Sequence, residues 1–132
     1  YPHMKGRKYG KIVNVSSICG IMGGVISKPK SMPGRISGRS GPAYAAGEGG
    51  VVALTKWIAG EVAKDGIYAN AVAVGACRTD MTQGYDYGVQ NLPIARMGEP
   101  DDMAEAILFL ASDASNYITG HVLNEDGGWV MR

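Results

Sequence analysis

Tyr44 and Glu48 lie four residues apart in the stretch Pro42-Ala43-Tyr44-Ala45-Ala46-Gly47-Glu48-Gly49-Gly50-Val51. The stretch reads as the start of a helix, and residues at i and i+4 share one helix face. A phenol can give or take a proton in a reaction when its surroundings tune its pKa. A cation at i+4 would stabilise the phenolate, whereas a carboxylate opposes that ionisation. The pair is therefore an acid–base candidate whose neighbour works against release of the proton.

Other side chains suited to chemistry are few. Cys19 and Cys77 each sit in an apolar neighbourhood. They predict reduced core thiols of a cytoplasmic protein rather than a disulfide or a metal site. His3 and His121 are too few and too distant in sequence to suggest zinc. Lys28, Lys30, Arg35 and Arg39 fall within residues 27–40, which contain no acid. A basic loop of this kind could grip an anionic substrate or be a solvated flexible insertion, and the second reading is preferred. Four charges with no interleaved aromatic make a poor nucleic-acid footprint. A net charge of +1 implies no general attraction to nucleic acid or membrane. No apolar run approaches the roughly 20 residues that span a bilayer, and residues 1–10 lack the apolar stretch of a signal peptide.

The elements that must position these groups follow from periodicity. The 132 residues suffice for one domain with one core, and 45% hydrophobic with 19% charged residues is an ordinary globular balance. Residues 1–10 read as the end of a helix, with Lys5, Arg7 and Lys8 in its last turn and Gly10 as its stop. Residues 11–17 read as a strand built on Ile12, Val13 and Val15. Residues 18–41 form a long connection, with Gly20-Ile21-Met22-Gly23-Gly24 read as loop. Pro29, Pro33, Gly34 and Gly38 argue against regular structure over 27–40, so a mobile loop is expected there. A helix is predicted over 44–65 and a strand over 67–74. A long segment over 75–98 follows, with Tyr85 and Tyr87 as surface or partner contacts, or as substrate ligands. Glu99-Pro100-Asp101-Asp102 opens another helix. A capped turn over 113–119 leads to a last strand that begins at 121–123 and is closed by Gly127-Gly128. The order β-α-β-α-β means parallel strands with helical crossovers.

Several motifs in this order resemble the C-terminal half of a short-chain dehydrogenase/reductase. They are Asn14-Val15-Ser16-Ser17, Tyr44, Val74-Gly75-Ala76-Cys77-Arg78-Thr79-Asp80-Met81, residues 93–102, Leu108-Phe109-Leu110-Ala111-Ser112-Asp113, and Ile118-Thr119-Gly120 followed by Asp126-Gly127-Gly128-Trp129. The resemblance runs from about Gly10 to Trp129. It implies an α/β fold, a partial Rossmann-like doubly wound parallel sheet. It also implies hydride transfer between NAD or NADP and an alcohol or ketone substrate. Ser17 would hold the substrate oxygen and Tyr44 would give or take its proton, with Glu48 where the family carries a lysine. Asn14, Tyr44, Gly75, Cys77 and Thr79 would meet the nicotinamide end of the cofactor, although Thr79 is also placed to cap a short helix. A homo-oligomer, dimer or tetramer, is the family's usual state.

The departures from that pattern carry their own expectations. No strand, glycine-rich turn and helix precede Asn14, so the N-terminal nucleotide-binding half is expected to be absent. Lys56 cannot replace the missing lysine, because twelve residues of helix carry it roughly 18 Å away at about 1.5 Å per residue. Val74 stands where the family has proline, and 26 residues separate Ser17 from Tyr44, about twice the family's interval. The chain alone is thus expected to be weakly active or inactive as an enzyme. The competing reading is a non-catalytic fragment or oligomerisation module derived from the same family.

Overall fold

A computed structural model describes residues 1–29 and 38–131. At its centre lies strand β4 (Ile67–Val74). It pairs in parallel with β1 (Gly10–Ser17) over eight positions, from Gly10↔Ile67 to Ser17↔Val74. On its other side it pairs in parallel with β6 (Val122–Glu125), from Ala71↔Val122 to Val74↔Glu125. All three strands therefore end at the same edge of the sheet. Ile67, Ala69, Ala71, Val72 and Ala73 of β4 are all buried, as a parallel strand covered on both faces requires.

Two helices supply that cover. Helix α3 (Pro42–Val62) turns Thr55, Ala59 and Val62 inward on one face. Helix α4 (Pro100–Ala111) packs Ala106 and Leu110 against Val72 on the other. The arrangement is a doubly wound α/β sheet, as expected. Helix α3 starts at Pro42, two residues before the predicted start. Proline suits a first turn because no intrahelical bond needs its N–H there. The helix ends in a 3-10 turn, Ala63–Asp65, and Gly66 at φ 74°. Asn70, wholly buried, ties β4 to the segment before β6. Its Nδ2 donates to the Ile118 carbonyl at 2.9 Å and its Oδ1 accepts the His121 N–H at 3.0 Å.

Three sequence expectations need correction. Helix α1 (Pro2–Arg7) stops at Lys8 in the left-handed conformation, and Gly10 instead begins β1 with Met4 packed against it. The stretch 20–24 is not all loop: Cys19–Met22 forms a helical turn, α2, that leans on α3. Residues 27–40 are not irregular at their two ends. Strand β2 (Ile26–Pro29) pairs antiparallel with β3 (Gly38–Arg39) and with β5 (Tyr85–Asp86) in the order β3-β2-β5. Pro29 is compatible with this because it closes its strand, where a lost N–H is tolerated. The rest of the expected mobile loop, 30–37, lies outside the described residues.

Candidate active site

Ser17 is the last residue of β1, and the chain turns sharply after it into α2. The Ile18 N–H donates to the Val74 carbonyl at 3.1 Å, and the Cys19 N–H donates to Ser17 Oγ at 3.1 Å. Because that oxygen already accepts a hydrogen bond, the hydroxyl's own proton is left to point elsewhere. The hydroxyl and Tyr44 line the same groove, of about 390 Å³, at the C-terminal ends of β1 and β4.

Two contacts set Tyr44 beside Ser17. Buried Ser16 donates its hydroxyl to the Glu48 carbonyl at 3.0 Å, pinning α3 to β1. Gly20 of α2 lies so close to α3 that a Cβ there would come within 2.5 Å of Glu48 C and Gly49 N. Only a residue without a side chain permits that approach. Burial raises the Tyr44 pKa most, a hydrogen-bond interaction with Ser17 pulls it down, and the Glu48 carboxylate adds to the rise. The net direction is upward, so the phenol holds its proton. None of the three ion pairs among the described residues involves Glu48. Lys56 lies outside the groove, in a separate hollow beside β6 with His121.

The other candidate residues divide. Gly75, Cys77 and Thr79 line the groove with Ser17, Tyr44 and Glu48. A Cβ on Gly75 would stand 2.8 Å from Asp126 Cα, so glycine lets the 126–130 segment close on the strand end. Burial raises the Cys77 pKa and nearby Glu99 and Asp102 add to it, which keeps a neutral thiol there. Thr79 sits at the start of a 3-10 turn, Asp80–Thr82, and its N–H donates to Thr82 Oγ1 at 3.0 Å. Its capping role is thus realised while it borders the groove. Asn14 is not brought to the groove. An odd number of positions before Ser17 puts it on the opposite strand face, where its Nδ2 donates to Thr55 Oγ1 of α3 at 2.9 Å.

Sequence reasoning did not find Ser16, Gly20, Val25 or Ser40, all at or beside the groove. Ser16 was visible as half of a serine pair, and Gly20 as a glycine immediately after the serine strand. The remaining two had no local signal, since the hairpin that brings them together is a non-local pairing. Cys19 and Cys77 are both free and buried, as the sequence predicts. No group of three or more metal-ligating side chains occurs among the described residues, and no described helix is long and apolar enough to cross a membrane.

A parallel α/β sheet with a serine and a tyrosine converging at the C-terminal strand ends defines a Rossmann-like fragment of dehydrogenase type. Residues 1–130 match the family described as enoyl-(acyl carrier protein) reductase. The chain is 40% identical to the 3-oxoacyl-(acyl-carrier-protein) reductase FabG of Thermotoga maritima, over 98% of this chain and 49% of that protein. It is also 40% identical to the 3-oxoacyl-(acyl-carrier-protein) reductase of Synechocystis, over 97% of this chain and 47% of that one. With the FabG of Chlamydia trachomatis it shares 39%, over 96% and 47% respectively. The chain belongs to the short-chain dehydrogenase/reductase family. It spans about half the length of the curated relatives it matches.

Proposed function

We propose that this chain carries the substrate-facing half of a cytoplasmic NAD(P)-dependent oxidoreductase that interconverts an alcohol and a ketone. The observation that carries the reading is the convergence of Ser17 and Tyr44 in one groove at the ends of parallel strands, where open α/β sheets place their ligands. The groove's polar groups suit the nicotinamide end of the cofactor. Hydroxyls of Tyr44 and Thr79 offer hydrogen bonds to its ribose and carboxamide, and Glu48 can accept from ribose hydroxyls. NAD(P), when bound, supplies or accepts the hydride.

The chain's own residues handle the oxygen and its proton. Ser17 turns its hydroxyl proton from Tyr44 to the substrate oxygen and so orients it. Tyr44 Oη gives its proton to that oxygen on reduction and takes it back on oxidation. Burial first, and the Glu48 carboxylate with it, raise the Tyr44 pKa; Glu48 thus makes the departing phenolate costlier and slows the step that a lysine would speed. The curated relatives are named for 3-oxoacyl groups on acyl carrier protein. A 3-oxoacyl thioester contains a ketone, which makes it the first substrate class to try.

A second reading, an interaction module, is favoured by Glu48 and by the exposed apolar strip of α3. There Leu54 is 51% and Trp57 67% accessible, a surface suited to a dimer or tetramer. Titrating NADH and NADPH into the purified chain while following nicotinamide fluorescence separates the two. Saturable micromolar binding, weakened in Thr79→Ala, and reduction of an acetoacetyl thioester lost in Tyr44→Phe are expected of the enzyme. No binding up to millimolar cofactor would leave the interaction module standing.

A further inference from the structure

A second hollow, of about 730 Å³, runs along one face of β6. It shares no lining residue with the groove of Ser17 and Tyr44. Successive side chains of a strand pack on opposite faces of a sheet. Leu123 joins the cluster under α4, whereas Val122 joins Ile18, Cys19 and Ala73 on the other side. Val122 is the floor of the hollow, and Ile21 of α2 and Val52 of α3 form two of its sides. The third side is the chain after β6, folded back by its own hydrogen bonds. Asp126 accepts the N–H groups of Gly128, Trp129 and Val130, and Asn124 Nδ2 donates to the Val130 carbonyl at 2.9 Å. Val130 and Met131 are thereby held along the strand, where both line the hollow.

Charge is unevenly spread along this hollow. Lys56 and His121 both line it, and neither side chain has an ion-pair or hydrogen-bond partner among the described residues. Gly120 lies against α3, where a Cβ on it would stand 3.5 Å from Ala59 Cβ. Lys56 comes one turn before Ala59, about 4.5 Å along the helix at about 1.5 Å per residue, so the two bases share the end of the hollow where β6 begins. Asp126 is the one acid lining it among the described residues. It stands past the other end of β6, roughly 16 Å from His121 at about 3.3 Å per residue, beyond the screening length of about 8 Å at physiological salt. Its oxygens are also taken by the three backbone N–H groups.

We propose that this hollow binds an apolar chain that ends in a single carboxylate, such as a medium-chain fatty acid. The carboxylate lies between Lys56 and His121, and the chain runs over Val122 toward Val130 and Met131. Lys56 Nζ and a His121 ring N–H donate to the carboxylate oxygens. The volume falls within the roughly 300–1,000 Å³ of ordinary ligand sites. A side held by four hydrogen bonds is in place before the ligand arrives, so little ordering entropy is lost on binding.

NMR titration of the full chain with butyrate, hexanoate, octanoate and uncharged octanol, all below micelle-forming concentrations, tests this. Affinity is expected to rise about fourfold for each methylene buried, with shifts centred on Val122, Val130 and Met131. Octanoate is expected to bind about fivefold tighter than octanol, the upper scale of an exposed ion pair. Lys56→Gln, at an exposed position, is expected to remove that advantage and leave octanol binding unchanged. Octanol binding as tightly as octanoate, or octanoate indifferent to Lys56→Gln, overturns the carboxylate end. Affinity independent of chain length, or shifts gathered in the Ser17–Tyr44 groove or around Leu54 and Trp57, overturns the site. If octanoate does not bind while dilution alone shifts Val122 and Val130, a second copy of the chain covers the hollow, and the proposal falls. None of these outcomes bears on the oxidoreductase reading, because the two sites share no residue.

Discussion

The groove rim and the corner where β6 ends are built on opposite electrostatic terms. At the corner most charges are answered, Glu125 excepted, whose carboxyl pKa is pushed up by burial and by neighbouring Asp102 and Asp126. Asp126 accepts the N–H groups of Gly128, Trp129 and Val130 at 2.8–3.1 Å. Arg96 meets Asp102 through both guanidinium nitrogens, at 2.6 and 3.0 Å, and Asp102 also accepts the Glu99 N–H at 2.7 Å. At the rim, Glu48 faces a phenol rather than a cation, and Tyr44 is about half exposed. The corner holds the fold, and the rim holds the side chains of the proposed chemistry at little cost to the fold. That separation explains how a carboxylate can sit where the family has a lysine without undoing the structure: position 48 is only partly buried, and its backbone carbonyl, not its side chain, is what Ser16 grips.

The largest expected effect comes from breaking the corner. Asp126→Ala leaves three N–H groups without their acceptor, and hydrogen bonds to a charged group are worth about 1.5–3 kcal/mol each, not additively. A loss of about 3 kcal/mol in chemical denaturation is expected, with the Tyr44 titration unmoved. A wild-type midpoint would show that the corner is not the frame.

Gly20→Ala should come next, and it alone should damage both regions. A Cβ at 2.5 Å from Glu48 C and Gly49 N meets backbone that cannot step aside. Overpacking of this kind costs about 1–3 kcal/mol. The displaced α3 would also carry Tyr44 away from Ser17. Lowered stability together with lost reduction of an acetoacetyl thioester is the expected pair of results; lost stability with full activity would mean that the tyrosine is positioned by something else.

The same contrast decides what the sequence makes legible. The sheet and both covering helices are local patterns. Continuous apolar β4, the stripe of α4 and the acidic opening at Glu99 could each be read within a dozen residues. So could Ser17 and Tyr44, because both lie in short motifs at element ends. The pairing of β2 is not legible locally, because the prolines and glycines of 27–40 read as breakers, while Pro29 sits at a strand end and the pairing partner, β5, is more than fifty residues away. The motif points Asn14 to the cofactor, and only strand alternation turns it to Thr55 instead. Gly20 looked like a loop glycine because close approach to another helix leaves no mark in its own segment.

Glu48→Lys sharpens the comparison from the rim side. A lysine would favour the phenolate, so the Tyr44 pKa should fall and the alkaline limb of the rate profile should move to lower pH. A rise in reduction rate of about tenfold is expected, equivalent to about 1.4 kcal/mol in the barrier, with thermal stability almost unchanged. No gain in rate, despite a lowered Tyr44 pKa, would place the limiting defect in cofactor binding rather than proton transfer.

The smallest effect separates the regions by pH. Arg96, followed by the Glu99 N–H, holds the Asp102 carboxyl at about 2 against its usual 3.8. A lowered folded-state pKa contributes stability that is full above the ordinary value and is lost as pH falls toward the shifted one. The corner should therefore weaken between about pH 4 and 2, and Asp102→Asn should flatten that limb. Tyr44 is displaced the other way, upward, chiefly by burial. Its contribution is full below the ordinary phenol pKa near 10 and is lost as pH rises through the raised one, so Tyr44→Phe should flatten part of the alkaline limb only. Exposure of both groups makes the two changes modest. Urea midpoints for the two variants across pH 2–12 would reveal whether they act at opposite ends. If Asp102→Asn altered the alkaline limb, the corner and the rim would be one coupled network rather than two independent regions.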